Sequence, residues 1–188
     1  MAKTINVPRN PDATRAALID AAWFEFNDAG YEDTNSNKIA ARAGYAPQTF
    51  YRHFENKAAI FIAVYERWVD EETRVLDRLR TSESAARAVI AHHRGALKFR
   101  RALRYLAVID DGVRAARARS RRAQVSRLKG RLTHLADRPD NALIVDLLMV
   151  ERVADACAEG ELGDVGLSAR DAERELQQVL KRVFGAAE

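Results

Sequence analysis

The sequence predicts an all-α protein in which a small N-terminal domain with a helix-turn-helix precedes a larger helical domain. Apolar residues recur every three to four positions over most of the chain, which is the spacing of one helix face. Glycine and proline, with nine and four residues, are scarce and stand between these apolar stripes. We find neither an internal repeat nor the apolar–polar alternation of a β-strand. These observations together predict about nine helices and no strand.

Composition and cysteine content narrow the class of protein further. The chain has 47% hydrophobic and 31% charged residues, and no stretch approaches the roughly 20 consecutive apolar residues of a membrane helix. Cys157 is the only cysteine, so no disulfide can form within the chain. The first ten residues lack the apolar core of a secretory signal. We therefore expect a cytoplasmic protein that needs no cofactor.

Three helices are predicted in the N-terminal domain, residues 1–56. They cover residues 12–29, 35–43 and 47–54. Gly30 and Gly44 separate them, because glycine adopts the left-handed backbone conformation of a helix C-terminus or a tight turn at little cost. Thr34 or Asn35 is expected to cap the second helix, since both side chains can accept a hydrogen bond from a free N–H group.

The remaining helices form the C-terminal domain, residues 57–188. A long helix begins at Lys57, and further helical stretches are predicted at 84–94, 96–111, 113–136, 139–158 and 168–184. Gly95, Gly112 and Pro139 interrupt the pattern, and the glycine-rich segment 160–166 connects the last two helices.

Segment 30–57 contains the features that point to a function. Phe50 and Phe54 are four residues apart and are expected to anchor the third helix in the core. The opposite face then carries Gln48, Thr49 and Arg52, in the position from which a recognition helix meets base edges in the major groove. The predicted DNA-binding residues are Thr34, Asn35, Tyr45, Pro47, Gln48, Thr49, Tyr51, Arg52, His53 and Lys57.

The residues around the recognition helix have different expected roles. Lys57 combines its charge with the positive end of the next helix and is predicted to bind a phosphate. Thr34 and Asn35 lie at a helix start whose backbone N–H groups can bind another phosphate. Tyr45 is expected to contact a phosphate or a thymine methyl group. Tyr51 is either a core residue or a DNA contact.

This segment resembles the signature of the tetracycline-repressor (TetR) family of bacterial regulators. The matching residues are Gly30, Tyr31, Thr34, Ile39, Ala40, Ala43, Gly44, Thr49, Phe50, Tyr51, Phe54 and Lys57. Three positions depart from the family pattern: Ala46 replaces a capping serine, Gln48 a glycine, and His53 an aromatic residue. Because Gln48 lies on the predicted DNA-facing side, the operator sequence cannot be copied from a relative.

The resemblance implies a non-enzymatic DNA-binding regulator, in most cases a repressor, that binds a palindromic operator as a homodimer. A small molecule bound by the C-terminal domain would release the DNA. In the family the last two helices of each subunit form a four-helix bundle, which corresponds here to 139–158 and 168–184. Both segments have apolar stripes that we expect to serve the core and the partner subunit.

The charge of the chain is unevenly distributed and bears on the effector. Residues 84–136 contain 14 basic and two acidic residues, whereas residues 137–188 contain six basic and twelve acidic ones. The arginines of 96–111 could hold the acid group of an anionic or amphipathic effector, or they could pair with the acidic C-terminal block. The predicted pocket residues are Phe61, Tyr65, Trp68, Phe99, Leu103, Leu106, Ile109 and Arg104.

Two other classes of protein were weighed against a ligand-responsive regulator. An enzyme is not expected, because the sequence has no G-x-S-x-G, no P-loop and no H-E-x-x-H motif. His92, His93, His134 and Cys157 do not have the spacing of metal ligands. A DNA-binding or architectural protein without an effector stays open, and thermal shift against metabolites would separate it from a regulator.

Overall fold

The computed structural model describes residues 10–79 and 81–185, and in these ranges it contains nine α-helices and no strand. The all-α prediction is therefore confirmed. The helices are α1 Pro11–Asp28, α2 Ser36–Arg42, α3 Pro47–His53, α4 Lys57–Leu76, α5 Ser82–Arg94, α6 Leu97–Ile109, α7 Asp111–Arg131, α8 Asp140–Glu159 and α9 Ala169–Phe184. Within the described ranges no helix is long and apolar enough to cross a membrane.

The chain divides into two compact units, Met1–Val64 and Tyr65–Glu188. The division falls inside α4 instead of at its first residue, where the sequence pattern had placed it. Ile60 and Val64 on the first half of α4 are fully buried. A helix with an apolar stripe along its whole length offers no sequence signal for the point at which its packing partners change.

The N-terminal unit is a small helical core with two sharp turns. Leu18 and Phe26 of α1, Ile39 of α2 and Phe50 of α3 are each fully buried. Gly30 has a φ of 92° and Gly44 a φ of 76°, so the two predicted glycine turns are confirmed. Both values lie in the left-handed region that side chains with a Cβ rarely adopt.

In the C-terminal unit, α5 packs against both α8 and α9, and α6 packs against α7. The core between α5, α8 and α9 contains Val89, Ala154 and Leu176, each almost fully buried. Burial of these side chains is the main source of stability for a helical layer of this kind.

Two segments differ from the expected helix boundaries. Helix α7 ends at Arg131 and is followed by the short 3-10 helix Thr133–Leu135, whereas one continuous helix to residue 136 was predicted. The break lets Leu135, 1% exposed, pack with Val125 and Leu143. The segment predicted as a plain loop at 160–166 contains the 3-10 helix Glu161–Val165 between two glycines with positive φ.

Candidate DNA-binding interface and ligand cavity

Helix α3 is held in the N-terminal unit by its aromatic residues. Phe50 is fully buried and Phe54, at the C-terminal end, is 5% exposed. Their ring centroids are 5.8 Å apart, and the guanidinium carbon of Arg15 lies 5.0 Å from the Phe54 ring centroid. The anchoring predicted from the four-residue spacing is confirmed. It fixes which side of a seven-residue helix is free.

The free side of α3 carries Gln48, Tyr51 and Arg52, all exposed. Tyr51 is 58% exposed, and its hydroxyl forms a hydrogen bond of 2.7 Å with that of Ser36 at the start of α2. The Arg52 Nη2 donates a hydrogen bond of 3.0 Å to the Thr49 hydroxyl. Polar groups from both helices of the helix-turn-helix therefore lie on one exposed surface.

Thr49 lies on the buried side of α3, contrary to the prediction that it faces outward. It is 8% exposed. In a helix, residue 49 lies 100° from Phe50 and only 40° from residue 53, so it shares the flank that packs on the rest of the unit. His53, on the same flank, is half-buried, whereas Tyr51 on the other flank is exposed.

The side chains of Thr34 and Asn35 support the local fold. Thr34 is 2% exposed, and its hydroxyl donates a hydrogen bond of 2.7 Å to the carbonyl of Gly30. Asn35 is the N-cap of α2, and its Oδ1 accepts a hydrogen bond of 3.0 Å from the N–H of Lys38. Of the two capping candidates, Asn35 is the cap. Thr34 instead closes the preceding turn.

The ammonium group of Lys57 is already engaged within the unit. Its Nζ donates a hydrogen bond of 2.8 Å to the carbonyl of Tyr31 and lies 4.1 Å from the centroid of the Tyr31 ring. Burial lowers the pKa of Lys57. One of its three N–H donors is therefore used within the unit, and the predicted phosphate contact of Lys57 stays a prediction.

The remaining predicted residues lie at the N-terminal end of α3. Tyr45 is half-buried in the turn, and Pro47 is the first residue of the helix. Ala46 is the N-cap and forms no side-chain cap hydrogen bond, as its lack of a side-chain acceptor predicts. Ser36 was not predicted as part of the surface; its partner Tyr51 is fifteen residues away, and no local pattern indicates that contact.

A cavity of about 560 Å³ lies within the C-terminal unit. Residues from six helices, α4 to α9, line it. Tyr65 and Trp68, two of the predicted pocket residues, are among them. A volume of this size falls in the range of about 300–1,000 Å³ typical of small-molecule sites.

The other predicted pocket residues are not part of the cavity wall. Phe61 belongs to the N-terminal unit, where its ring centroid lies 5.1 Å from that of Phe26 and 5.1 Å from that of Tyr31. Ile109 is 58% exposed at the end of α6. Phe99, Leu103 and Leu106 are buried, but in the packing of α6 and not in the lining. The apolar stripe of a buried helix does not show which part of it faces a void.

The arginines of α6 pair with carboxylates of α8. Arg100, 1% exposed, donates hydrogen bonds of 3.0 and 2.9 Å to Asp155, and Arg104 lies 2.8 Å from Asp155 and 2.7 Å from Glu159. Arg101 also pairs with Glu159, at 3.2 Å. Of the two alternatives for these arginines, the structure favours pairing with the acidic block over a vacant acid-binding site.

Glu151 joins this network to α7 and to the cavity. Arg100, Arg117 and Arg121 all contact its carboxylate. Burial alone would raise the pKa of Glu151, but these three positive charges outweigh burial and lower its pKa to about 2. The carboxylate is therefore ionised at neutral pH, and three arginines share it.

His93 extends the network to α4. Its Nδ1 lies 2.7 Å from Asp155 and its Nε2 3.2 Å from Glu72. Burial alone would lower the pKa of His93, but the two hydrogen bonds to carboxylates raise it. His93 is 2% exposed, so both ring nitrogens are satisfied by protein groups.

The exposed surfaces of α8 and α9 differ in character. Helix α8 exposes Val145, Leu148 and Met149, at 54%, 46% and 52%. On α9, Leu176 and Leu180 are buried in the core of the unit, and the exposed positions are mostly charged. Both helices were expected to keep apolar surface for a partner subunit. Among the described side chains, α8 has such a surface and α9 does not.

The N-terminal unit is similar in sequence to a known family of proteins. The family model described as bacterial regulatory proteins, tetR family, matches residues 18–64, which contain the turns and anchors described above. This segment of the chain is therefore similar to the DNA-binding part of tetR-family regulators. The family is described as regulatory proteins, which agrees with the expectation of a DNA-binding regulator for this segment.

Two relatives match the chain over the same short length of 59 residues. The transcriptional activator FasR of Mycolicibacterium smegmatis is 39% identical over a match that covers 31% of this chain and 27% of that protein. The transcriptional repressor SCO4008 of Streptomyces coelicolor is 36% identical, with 31% of each chain covered. The chain therefore spans less than a third of either relative, and the shared part carries the tetR-family helix-turn-helix.

Similarity to solved structures covers almost the whole chain. A structure from Mesorhizobium loti, described as a TetR-family transcriptional regulator, has a TM-score of 0.66 over 94% of this chain and 97% of that one. The two sequences are 20% identical, so the similarity shows the fold alone. The shared fold thus extends beyond the N-terminal segment that the family model matches.

Proposed function

We propose that this chain is a cytoplasmic tetR-family transcriptional repressor that binds a palindromic operator as a homodimer and leaves it when a small molecule binds. The observation that carries the proposal is the free side of α3. Gln48, Tyr51 and Arg52 are exposed there, opposite the buried anchors Phe50 and Phe54. This is the arrangement with which a recognition helix reads the major groove.

Each exposed group on α3 suits a different part of DNA. A glutamine side chain such as that of Gln48 can donate to and accept from adenine, and a guanidinium such as that of Arg52 can donate to guanine. The hydrogen bond to Thr49 restricts the conformations of Arg52. The linked hydroxyls of Tyr51 and Ser36 suit a phosphate, which positions a protein without reading sequence.

Two observations support a dimer: one helix-turn-helix contacts few base pairs, and α8 has an exposed apolar surface. One recognition helix contacts too few bases for a unique genomic site, and two half-sites about 34–36 Å apart require two-fold symmetry. Val145, Leu148 and Met149 give α8 an apolar surface. We assign the centre of the interface to α8 and its charged margin to α9.

Ligand release requires a site whose occupation favours one conformation of the dimer. The cavity of the C-terminal unit is that site in our proposal, with Tyr65 and Trp68 in its wall. A ligand that prefers the conformation with mis-spaced recognition helices lowers operator affinity by its differential affinity for the two states.

The proposal is tested with the purified protein and the DNA upstream of its own coding sequence. Fluorescence anisotropy at fixed salt should show specific binding. Gln48→Ala combined with Arg52→Ala should abolish specific binding, because each lost base contact costs about 1–3 kcal/mol. Arg122→Ala, which removes an exposed charge of α7, should bind like the wild type.

Two further measurements complete this test. Sedimentation should give a dimer for both the wild type and the double variant, because the substitutions lie outside α8. A reporter gene under the upstream DNA should be repressed by the wild type. Specific binding that survives in the double variant would contradict the proposed role of α3.

A further inference from the structure

We infer that the cavity takes an uncharged, largely apolar small molecule that carries a hydrogen-bond acceptor, and that it discriminates against carboxylates. This inference rests on the proposed function, because it names the chemical class of the effector. It replaces the expectation of an anionic effector, which depended on the number of arginines in the sequence. Their partners in the structure point to a different ligand.

Most of the surface of the cavity wall is apolar. Helices α4, α5, α7, α8 and α9 all contribute apolar side chains, among them Leu76, Val89, Leu128, Leu147, Val150 and Leu180. Several of these side chains also belong to the core clusters of the unit. A ligand that fills about 560 Å³ is therefore in contact mainly with hydrocarbon and gains affinity from apolar area.

The buried charges of the wall are already paired with groups of the same unit. Arg100 binds Asp155 and Glu151, and Arg121 binds Glu151. Glu72 faces His93 at 3.2 Å. A ligand carboxylate that binds Arg100 would have to displace Glu151 or Asp155 and leave that buried carboxylate with fewer positive partners, which is unfavourable.

The two remaining basic residues of the wall, Arg131 and His134, are exposed. Arg131 pairs with Asp77 at 2.5 Å, and its side chain is 38% exposed. Charges in such a position are well hydrated, so an ion pair formed there gains little. They do not create a site for an anion within the cavity.

Trp68 indicates what polar group the ligand carries. It is 3% exposed, and its indole N–H has no hydrogen-bond partner among the described residues. His92 stacks on the ring at a centroid distance of 4.4 Å, and the Arg100 guanidinium carbon lies 4.8 Å from the centroid. Because a guanidinium already lies over the ring, a cationic ligand is repelled at Trp68, whereas a ketone, ester or ether oxygen that reaches the indole N–H can accept from it.

The test compares three probes of equal chain length on the full-length protein: 2-decanone, decanoate and decylammonium. Isothermal titration calorimetry at pH 7 should show that the ketone binds at least about tenfold more tightly than either ion, because an ion must displace a buried partner. The ketone should also raise the melting temperature. This ranking needs no variant, so it does not depend on whether a substituted protein folds.

A matched pair of variants tests the role of the indole N–H. Trp68→Phe keeps an aromatic ring and should weaken 2-decanone binding by about 3- to 10-fold, the effect of one neutral hydrogen bond. Trp23→Phe, on α1 in the N-terminal unit, should bind the ketone like the wild type. Circular dichroism verifies that both variants are folded.

The outcomes separate the inference from the proposed function. Decanoate that binds as tightly as the ketone, or a failure of all three probes to bind, overturns the inference. An unchanged ketone affinity in folded Trp68→Phe overturns the assignment of the acceptor to this N–H. Operator binding is measured on the same preparation, and its absence overturns the proposed function while the probe ranking still decides the ligand class.

Discussion

Arginine side chains have opposite environments in the two units. In the N-terminal unit, Arg52 is exposed on α3, and among the described residues it donates a hydrogen bond to the hydroxyl of Thr49, a neutral partner. In the C-terminal unit, Arg100 is 1% exposed and contacts two carboxylates. An arginine with unused donors can bind an incoming anion or base, whereas a buried and paired one stabilises the fold. Side-chain environment, and not the local density of arginines, therefore separates recognition from structure here.

The largest expected effect concerns the buried arginine. Arg100→Met should lower the free energy of unfolding by about 3–5 kcal/mol, because it leaves Asp155 and Glu151 buried with fewer positive partners. Urea denaturation measures this loss. Arg122→Met, at an exposed position of α7, should change the same free energy by about 0.5 kcal/mol or less. Equal effects of the two substitutions would remove the contrast between buried and exposed arginines.

A smaller effect is expected for Lys57, which separates a structural cation from a DNA contact. Lys57→Met removes the hydrogen bond to the Tyr31 carbonyl and the contact with its ring. The free energy of unfolding should fall by about 1–2 kcal/mol. The slope of log affinity for operator DNA against log salt should stay unchanged, since a lost phosphate contact reduces it by about one. A slope reduced by one would show that Lys57 contacts a phosphate.

The hydrogen bond from Arg52 to the Thr49 hydroxyl gives a third test. Thr49→Val keeps the shape of a side chain that is 8% exposed but removes the oxygen that accepts from Arg52. Operator affinity should fall by about 2- to 10-fold, the value of one neutral hydrogen bond, while the melting temperature stays within error. Thr81→Val, at an exposed cap of α5, is the control for DNA binding. Unchanged operator affinity in Thr49→Val would show that Arg52 needs no positioning.

The smallest effect is a pH dependence carried by His93. Its pKa is raised in the folded state by hydrogen bonds with Asp155 and Glu72, so the folded protein binds this proton more tightly than the unfolded chain. The resulting stability is fully present below the unfolded pKa of about 6.5 and is lost as pH rises through the folded pKa. The difference in melting temperature between wild type and His93→Gln should therefore shrink from pH 6 to pH 8.5. A difference that stays constant or grows would contradict a raised pKa.

Local patterns in the sequence predicted the features that local geometry determines. The spacing of Phe50 and Phe54 identified the anchored side of α3, and Gly30 and Gly44 identified the turns, because these depend on residues within one or two helical turns. The burial of Thr49 could not be predicted in this way. Phe50 and Phe54 identify the buried side of a seven-residue helix, but they do not show which of the two flanks, 100° to either side, a neighbouring helix covers.

Contacts between distant segments could not be obtained in this way. Arg100 and Asp155 are 55 residues apart, and only the packing of α6 on α8 brings them together. Charge counts indicated that the basic and acidic blocks could pair, but not which arginines do so. Phe61 was assigned to the wrong unit for a similar reason, since its partners Phe26 and Tyr31 belong to the preceding unit and α4 continues without a break.

The most direct measurement of the central claim is a scan of single base-pair changes in the operator, with wild-type protein and Arg52→Ala compared at one salt concentration. If the exposed side of α3 reads bases, the variant loses discrimination at one base pair of each half-site, and changes elsewhere cost both proteins about 1–3 kcal/mol alike. A uniform loss of affinity at every position, with all discrimination retained, would instead show that Arg52 contacts only the phosphate backbone.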